Sequence, residues 1–584
     1  MRGCNVLPCV VFILVLGACS GNPVPHTALL TPTPFAPPAA APASLTFRRL
    51  PVKIYRDKIM AGWLGQMIGV SCGAPTEFRA LGEILPEGSL PNFKSGLANQ
   101  SFGQDDLYVE MTFLRTLEQY GLDVPAAQAG IDFANSQYPL WHANNAGRNN
   151  LRSGIAPPDS GHPQFNAHAD DIDYQIESDF AGLISPGLPG RAMALGEKFG
   201  RLMNYGDGLY GGQFMSCMYS EAFFETDVQK LVEAGLACIP PGSQYAGAIR
   251  DVLAWWKQNP GDWQVTWNRI NTKYQINPGY RRFSCTDANV GASFDIDAKI
   301  NGAYVVLGML YGNGDLLKSM QISMRAGQDS DCNPASTGGV LFTRLGFSQL
   351  PADFTNGLDR SQKWDFTSYN FDALIDVCEK LARQVVLQEG GRIEKDASGA
   401  DVLVIPVRQP QPGPLEQSWQ PGPIANSTFT DQQLKQINQR TSHLARDLIK
   451  FAPGWQVTDC MDSPDLGLVP TVQGKENVLF TFPADQQTPC RLTQTIQLPA
   501  ASQKVLHLVV SYSIGSWDLI VKANHKVLLD QNISGDTTPS GWSEVTVDLS
   551  AFAGQETYLE LLNQPAYSQF PGAYWASIIL KDKP

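Results

Sequence analysis

Charge is scarce in this chain. Charged residues fill 17% of its 584 positions, against roughly a quarter in an ordinary soluble protein. Acidic residues outnumber basic ones by 56 to 43, the net charge is -13, and no run of Lys and Arg occurs. That balance excludes the basic face on which a nucleic-acid polymer would lie. Other signatures are absent as well. There is no P-loop, no dinucleotide fingerprint and no His-Glu-x-x-His, which removes three familiar enzyme classes. There is no Cys-x-x-Cys pair and no internal repeat. Hydrophobic residues nevertheless reach 43%, enough for a sizeable core, and the length implies more than one domain.

The first apolar run, Val6 to Leu16, is broken by Pro8 and Cys9. It is too short to span a bilayer and fits the apolar region of a secretory signal behind Arg2. It ends in Leu16-Gly17-Ala18-Cys19, which resembles the lipobox of bacterial lipoproteins. The resemblance implies a signal over residues 1–19, lipid on Cys19, and membrane contact through that anchor only. Ser20, not an aspartate, follows, so in a Gram-negative cell the outer membrane is the expected address within the envelope. Residues 20–46 are rich in Pro and Ala and read as a stiff, extended tether. Of the 11 cysteines, eight remain beyond Cys19. An extracytoplasmic site permits disulfides, and Cys460 with Cys490 is the expected pair, since both lie in the β-rich end.

From Tyr55 the pattern is helical. "YRDKIMAGWLGQMIGVSCGAPTEF" has apolar residues at helical spacing, with Gly62, Gly65 and Gly69 small enough for close helix contact. "DLYVEMTFLRTLEQYG" is a second amphipathic helix, with Gly121 as its C-cap. "AKINGAYVVLGMLYGNGD", "LLKSMQISMRAG" and "DALIDVCEKLARQVVLQEG" are three more. Strand-like alternation is scarce before residue 400. After it come "DVLVIPV", a Pro-rich stretch, a helical "FTDQQLKQINQRTSHLARDLIKF", and short β-rich runs from "ENVLFTF" to "YWASIIL". The expected fold is thus multidomain: an all-α body over 47–395, a connecting segment over 396–450, and a β-sandwich of the jelly-roll kind over 451–584.

Two acidic clusters stand in apolar neighbourhoods: Asp105-Asp106 in "SFGQDDLYVEM" and Asp329-x-Asp331 in "AGQDSDCNPAS". Helix capping accounts for one aspartate of a pair and poorly for the other. A shared hard cation, which takes oxygen ligands, accounts for both. The two loops resemble the metal-binding signatures of the ADP-ribosylglycohydrolase family, which includes the dinitrogenase reductase-activating glycohydrolase. Where that family has Thr/Ser-Asp-Asp-Thr, this chain has Gln104-Asp105-Asp106-Leu107. Where it has Gly-Asp-Thr-Asp-Thr-Asn, this chain has Gln328-Asp329-Ser330-Asp331-Cys332-Asn333. A Gly-rich opening helix running into Pro75-Thr76-Glu77 is shared, and the resemblance covers roughly residues 50–390. It implies an all-α fold with a pair of Mg²⁺ ions held by Asp105, Asp106, Asp329 and Asp331. Gln104 replaces a ligating hydroxyl, though its amide oxygen suits a hard cation. Cys332 stands where Thr is usual. Either it does not ligate, which the other oxygen ligands favour, or the site tolerates Mn²⁺ or Zn²⁺.

Between these loops lies "HADDIDYQIESDF", whose Asp171 or Asp173 can complete the acid/base or metal set. We assign Asp173 to proton transfer and Asp171 to the substrate side. Glu77 matches a glutamate that lies beside the metals in some relatives, which makes it the second proton-transfer candidate. "NNAGRNNLRSGIAPPDSGHP" reads as a substrate-facing loop, with Asn144, Asn149, Asn150 and Arg152 able to bind hydroxyls or phosphate. Gly69-Val70-Ser71-Cys72-Gly73 matches a nucleophile elbow, but a helical pattern precedes it where a strand is needed. In the β region Tyr512, Trp517, Trp542, Tyr574 and Trp575 serve either as core or as sugar-stacking rings. The expected activity is metal-dependent cleavage of an N- or O-glycosidic bond in an ADP-ribosyl or other sugar substrate outside the cytoplasm. The alternative is a non-catalytic carbohydrate- or nucleotide-binding surface lipoprotein. The sequence sets no oligomeric state.

Overall fold

A computed structural model describes residues 46–277, 283, 296–438, 443–461, 466–483, 488–500, 503–565 and 572–583. The signal, Cys19, nearly all of the tether and Cys285 lie outside the described residues. The order of elements is a helical body followed by antiparallel sheets, as the periodicities predict. Among the described residues no helix is long and apolar enough to cross a membrane.

The opening helix, α1 (Val52–Gly73), is buried along most of its length. It crosses the helix Cys332–Leu345 backbone to backbone. A methyl group on Gly65 would fall on the carbonyl of Gly338, one on Gly69 on the carbonyl of Pro334, and one on Gly73 on the Cα of Asp331. Only glycine permits so close an approach over three turns. The crossing fixes where the acidic start of the second helix sits against the end of the first. Ser71 lies buried inside α1, which rules out the nucleophile elbow. The second amphipathic helix, α2 (Asp105–Tyr120), ends at Gly121, whose φ of 83° lets its N–H return to the Leu117 carbonyl at 2.9 Å.

The helical body also carries a small sheet, of which the sequence pattern announces only the central strand, in "DVLVIPV". Strand β1 (Phe47–Pro51), strand β2 (Arg392–Lys395) and strand β3 (Asp401–Pro406) form an antiparallel sheet in the order β1-β3-β2. The following Pro-rich stretch lies on the helical body. Ser418 Oγ donates to Asp170, and the N–H groups of Ala425 and Ser427 donate to the Asp159 carboxylate at 2.8 and 2.7 Å. Asp170 in turn faces Lys299, which is fully buried between it (3.3 Å) and Asp297 (2.7 Å). A buried ammonium flanked by two carboxylates holds the 168–173 loop in place.

Among the described residues the β region has ten strands: β4 (Gln456–Thr458), β5 (Gly467–Val472), β6 (Lys475–Thr481), β7 (Cys490–Gln497), β8 (Lys504–Tyr512), β9 (Trp517–Ala523), β10 (Lys526–Ile533), β11 (Ser543–Asp548), β12 (Glu556–Pro565) and β13 (Ala573–Asp582). They form two five-stranded antiparallel sheets, ordered β10-β9-β12-β7-β4 and β11-β8-β13-β6-β5. Trp517 from one sheet and Trp575 from the other meet in the core, ring centroids 5.4 Å apart. Both are fully buried, so of the five aromatics only Tyr512, Trp542 and Tyr574 remain half-buried. Cys460 and Cys490 are joined, and a second disulfide, Cys217–Cys238, which spacing did not reveal, closes on the helical body.

Candidate metal centre and active site

Asp105 and Asp106 open α2 behind the cap residue Gln104, whose side chain makes no capping bond. Asp331 stands at the cap of the helix Cys332–Leu345, also without a side-chain capping bond. Capping therefore does not explain these acids. The backbone of the loop after α1 pairs with the loop before Asp329: Phe78 N–H donates to Gln328 at 3.1 Å, and Gln328 N–H to Ala80 at 3.0 Å. Thr76 Oγ1 and Ser330 Oγ share a hydrogen bond of 2.8 Å. These contacts, with the glycine crossing, bring Glu77, Asp105, Asp106, Asp329, Asp331 and Cys332 together. Ligand atoms of Asp329, Asp331 and Cys332 lie within 4.8 Å of one another.

The electrostatics are costly. Asp106 is 1% exposed, Asp329 and Asp331 3% each. Burial, and after it the charges of Asp105 and Asp331, raise the carboxyl of Asp106 well above its usual range. Burial and Asp331 do the same to Asp329. Asp105 is pushed up to about 6 by burial and Asp331. Glu77 is exposed at the edge of the cluster, yet partial desolvation and the charges of Asp331 and Asp105 raise it to about 7. One oxygen each of Asp106, Asp329 and Asp331, and the Gln328 amide oxygen, are buried without a hydrogen-bond partner. Buried polar atoms are almost always satisfied. The unpaired carboxylate oxygens of this cluster fit a hard divalent cation, which takes oxygen ligands. Cys332 is turned to another use: its thiol donates to Asp106 Oδ1 at 3.2 Å, and burial together with the surrounding carboxylates raises its pKa.

The acidic set continues inward. Glu110, one turn beyond Asp106, accepts from Gln66 Nε2 at 2.8 Å and from Phe180 N–H at 2.7 Å. Asp179 accepts from the Tyr219 hydroxyl. Neither is assigned a role from the sequence: the buried partners that define them come from distant segments.

The first part of the stretch expected to be a loop, residues 144–152, belongs to a helix, His142–Arg152, and only the remainder lacks α-helical structure. Asp173 Oδ1 accepts from the Asn144 N–H at 2.9 Å, and the Asn144 side chain donates to Glu177 at 2.7 Å. Asp173 is raised to about 7 by burial and then by Asp171, while Glu177 is raised by burial, by Asp173 and by the more distant charges of Asp105 and Asp106. Asn144 therefore links the middle segment to the acids. Asn150 instead donates to the carbonyls of Ser160 and Phe165, both at 2.9 Å. Arg152 donates to those of Ala134 and Ser136, both at 2.8 Å. Asn149 is half-buried, its carbonyl taken by Ser153. Asp171 is fully buried and receives His168 Nδ1 at 2.6 Å.

The chain belongs to the ADP-ribosylglycohydrolase family, which it matches over residues 51–391. That membership suggests a glycohydrolase. No curated protein matches the chain. Among solved structures, an ADP-ribosylglycohydrolase-related protein complex is 14% identical, covers 57% of this chain and 99% of its own, and has a TM-score of 0.36. The CBM35 from Paenibacillus barcinonensis is 12% identical over 22% of this chain and 94% of its own, TM-score 0.18. TmCBM61 in complex with β-1,4-galactotriose is 13% identical over 23% of this chain and 90% of its own, TM-score 0.18.

Proposed function

We propose that the protein is a divalent-metal-dependent glycohydrolase that cleaves an N- or O-glycosidic bond of an ADP-ribosyl or other sugar substrate, and that it works in the cell envelope, anchored by lipid on Cys19. The observation that carries this reading is the convergence of Asp106, Asp329 and Asp331, each with a buried oxygen that no protein donor reaches. Asp105, Asp106, Asp329 and Asp331 would hold Mg²⁺, or Mn²⁺, with the Gln104 or Gln328 amide as a further oxygen. When bound, the ion would orient sugar hydroxyls and stabilise negative charge near the scissile bond. Glu77, raised to about 7 at the rim of the cluster, is suited to take or return a proton near neutral pH. Asp173 is similarly raised but buried, with one oxygen engaged by Asn144. We therefore place Glu77 first and Asp173 second for proton transfer.

One observation favours a binding protein without turnover: the Cys332 thiol already occupies an oxygen of Asp106. The two readings separate in a single assay. The full chain, with Mg²⁺ and with chelator, is incubated with ADP-ribosyl conjugates and with aryl glycosides. Metal-dependent release of a sugar that Glu77→Gln lowers about 100-fold or more supports the enzyme. Metal uptake without release from any substrate supports the binder.

A further inference from the structure

Outside the carboxylate cluster the structure brings together a second set of ligand-type side chains, from residues distant from the acidic loops. His142 opens the helix His142–Arg152, and His168 and Asp171 lie in the loop before Asp173. Asp171 is 0% exposed, and both imidazoles are half-buried. The Nδ1 atoms of both rings approach the same oxygen, Asp171 Oδ2, at 2.6 Å for His168 and 4.0 Å for His142. All three ligand atoms lie within 4.8 Å of one another. The rings themselves cross at 71° with centroids 5.4 Å apart, so they converge without stacking.

The surroundings hold this geometry. Asn166 is fully buried; its Oδ1 accepts the His168 N–H at 2.9 Å, and its Nδ2 donates to the carbonyl of Ala143, next to His142, at 3.0 Å. A second buried amide, Asn204 Nδ2, donates to the Asp171 carbonyl at 2.8 Å. His142 takes a φ of 49°, a left-handed conformation that is uncommon for a residue with a side chain. Such strain persists where the surrounding structure over-determines it, often at ligand sites. A simple hydrogen-bonded His168–Asp171 pair would need neither the bent backbone at His142 nor its ring aimed at the same oxygen.

We propose that His142, His168 and Asp171 form a second metal centre for one transition-metal ion of the Zn²⁺ type. Two imidazoles and a carboxylate suit Zn²⁺ or Co²⁺ better than Mg²⁺, which prefers all-oxygen sites. Three protein ligands leave a further position for water or a substrate oxygen, as in catalytic rather than structural zinc sites. The two buried asparagines orient the ligand-bearing segments as outer partners do in metal proteins.

The test uses the full chain, stripped by chelator and returned to excess Mg²⁺ so that the carboxylate cluster is occupied. Zn²⁺ is then titrated by calorimetry and Co²⁺ by visible absorption. The expected result is one Zn²⁺ per chain, a Co²⁺ band of four-coordinate intensity, and a loss of Zn²⁺ affinity of about 100-fold or more in His142→Ala and in His168→Gln. Asp331→Asn is expected to leave Zn²⁺ uptake intact. No Zn²⁺ uptake above the Mg²⁺ background would overturn the proposal, as would uptake that Asp331→Asn abolishes and the histidine variants retain. Should a histidine variant fail to fold, the wild-type Co²⁺ spectrum decides: an octahedral, all-oxygen spectrum overturns the proposal.

Discussion

Removing the charge of Asp331 has opposite consequences for the metal-free and the metal-loaded chain. Without an ion, its carboxylate repels Asp105, Asp106 and Asp329 in a dry setting. Asp331→Asn is therefore expected to raise the melting temperature measured in chelator, by the equivalent of about 1–3 kcal/mol. The same variant is expected to lose the stabilisation that added Mg²⁺ gives wild type, which ligand linkage puts at about 2.7 kcal/mol at a hundredfold excess over Kd. Cys332→Thr works the other way. It replaces a thiol bound to Asp106 by a hard oxygen, and should tighten Mg²⁺ by about tenfold in calorimetry. The pH dependence follows from the raised carboxyls. A carboxyl whose folded pKa exceeds its unfolded one favours the folded chain in acid and loses that contribution as pH climbs from its unfolded pKa to its folded one. Asp105, raised to about 6, and Glu77, raised to about 7, place that loss between roughly pH 4 and 7 for the metal-free chain. Because ligands bind ions only when deprotonated, Mg²⁺ affinity should rise over the same window. Thermal melts with Mg²⁺ and with chelator should diverge from roughly pH 4 to 7 and change little from there to pH 8. At this scale the acidic pairs were legible because adjacent charges in apolar runs demand an explanation. Glu110 and His142 were not, because their meaning comes from partners 70 and 29 residues away, Phe180 and Asp171.

The helix crossing is the element on which the site rests. Gly69→Ala would drive a methyl group into the Pro334 carbonyl, where backbone and not a flexible side chain must yield. It is expected to cost about 1–3 kcal/mol in denaturant unfolding and to weaken Mg²⁺ binding, since Asp331 sits on the displaced strand of contacts. Gly247 offers the contrast. It lies in the helix Gln244–Gln258 with open space around its Cβ position, so Gly247→Ala should stabilise by roughly 0.5–1 kcal/mol and leave the metal untouched. The small residues of α1 were legible as packing residues from their helical spacing. The helix His142–Arg152 was not, because Asn and Gly are weak helix formers. Its start is held from outside, by Asp173 on the Asn144 N–H and by the Asn144 side chain on the Trp141 N–H at 3.0 Å. Tertiary partners of this kind leave no periodic trace in the sequence.

At the scale of the whole molecule, the two large apolar cores among the described residues are separate, one in the helical body and one between the sheets of the β region. Cys460–Cys490 packs against the β core, whereas Cys217–Cys238 forms a small apolar cluster of its own with Met193. The 30-residue separation of the second pair implies about 3–4 kcal/mol of stabilisation through the unfolded state. Replacing Cys460 and Cys490 by Ser should lower the melting transition of the β region in calorimetry and spare that of the helical body. The helical and β textures were readable from periods of 3.6 and 2, as the sheet order and the buried Trp517–Trp575 contact bear out. The sheet β1-β3-β2 was not, because its outer strands are only five and four residues long. The glycine crossing has a consequence for descent. The acids of the cluster are fixed to a backbone contact that tolerates almost no change, and the middle segment is pinned in the same way: a methyl group on Gly147 would meet the Leu202 carbonyl, and one on Gly161 the backbone of Arg201 and Asn204. Substitution on this scaffold is thus confined to side chains, while the backbones that carry the acids stay in place.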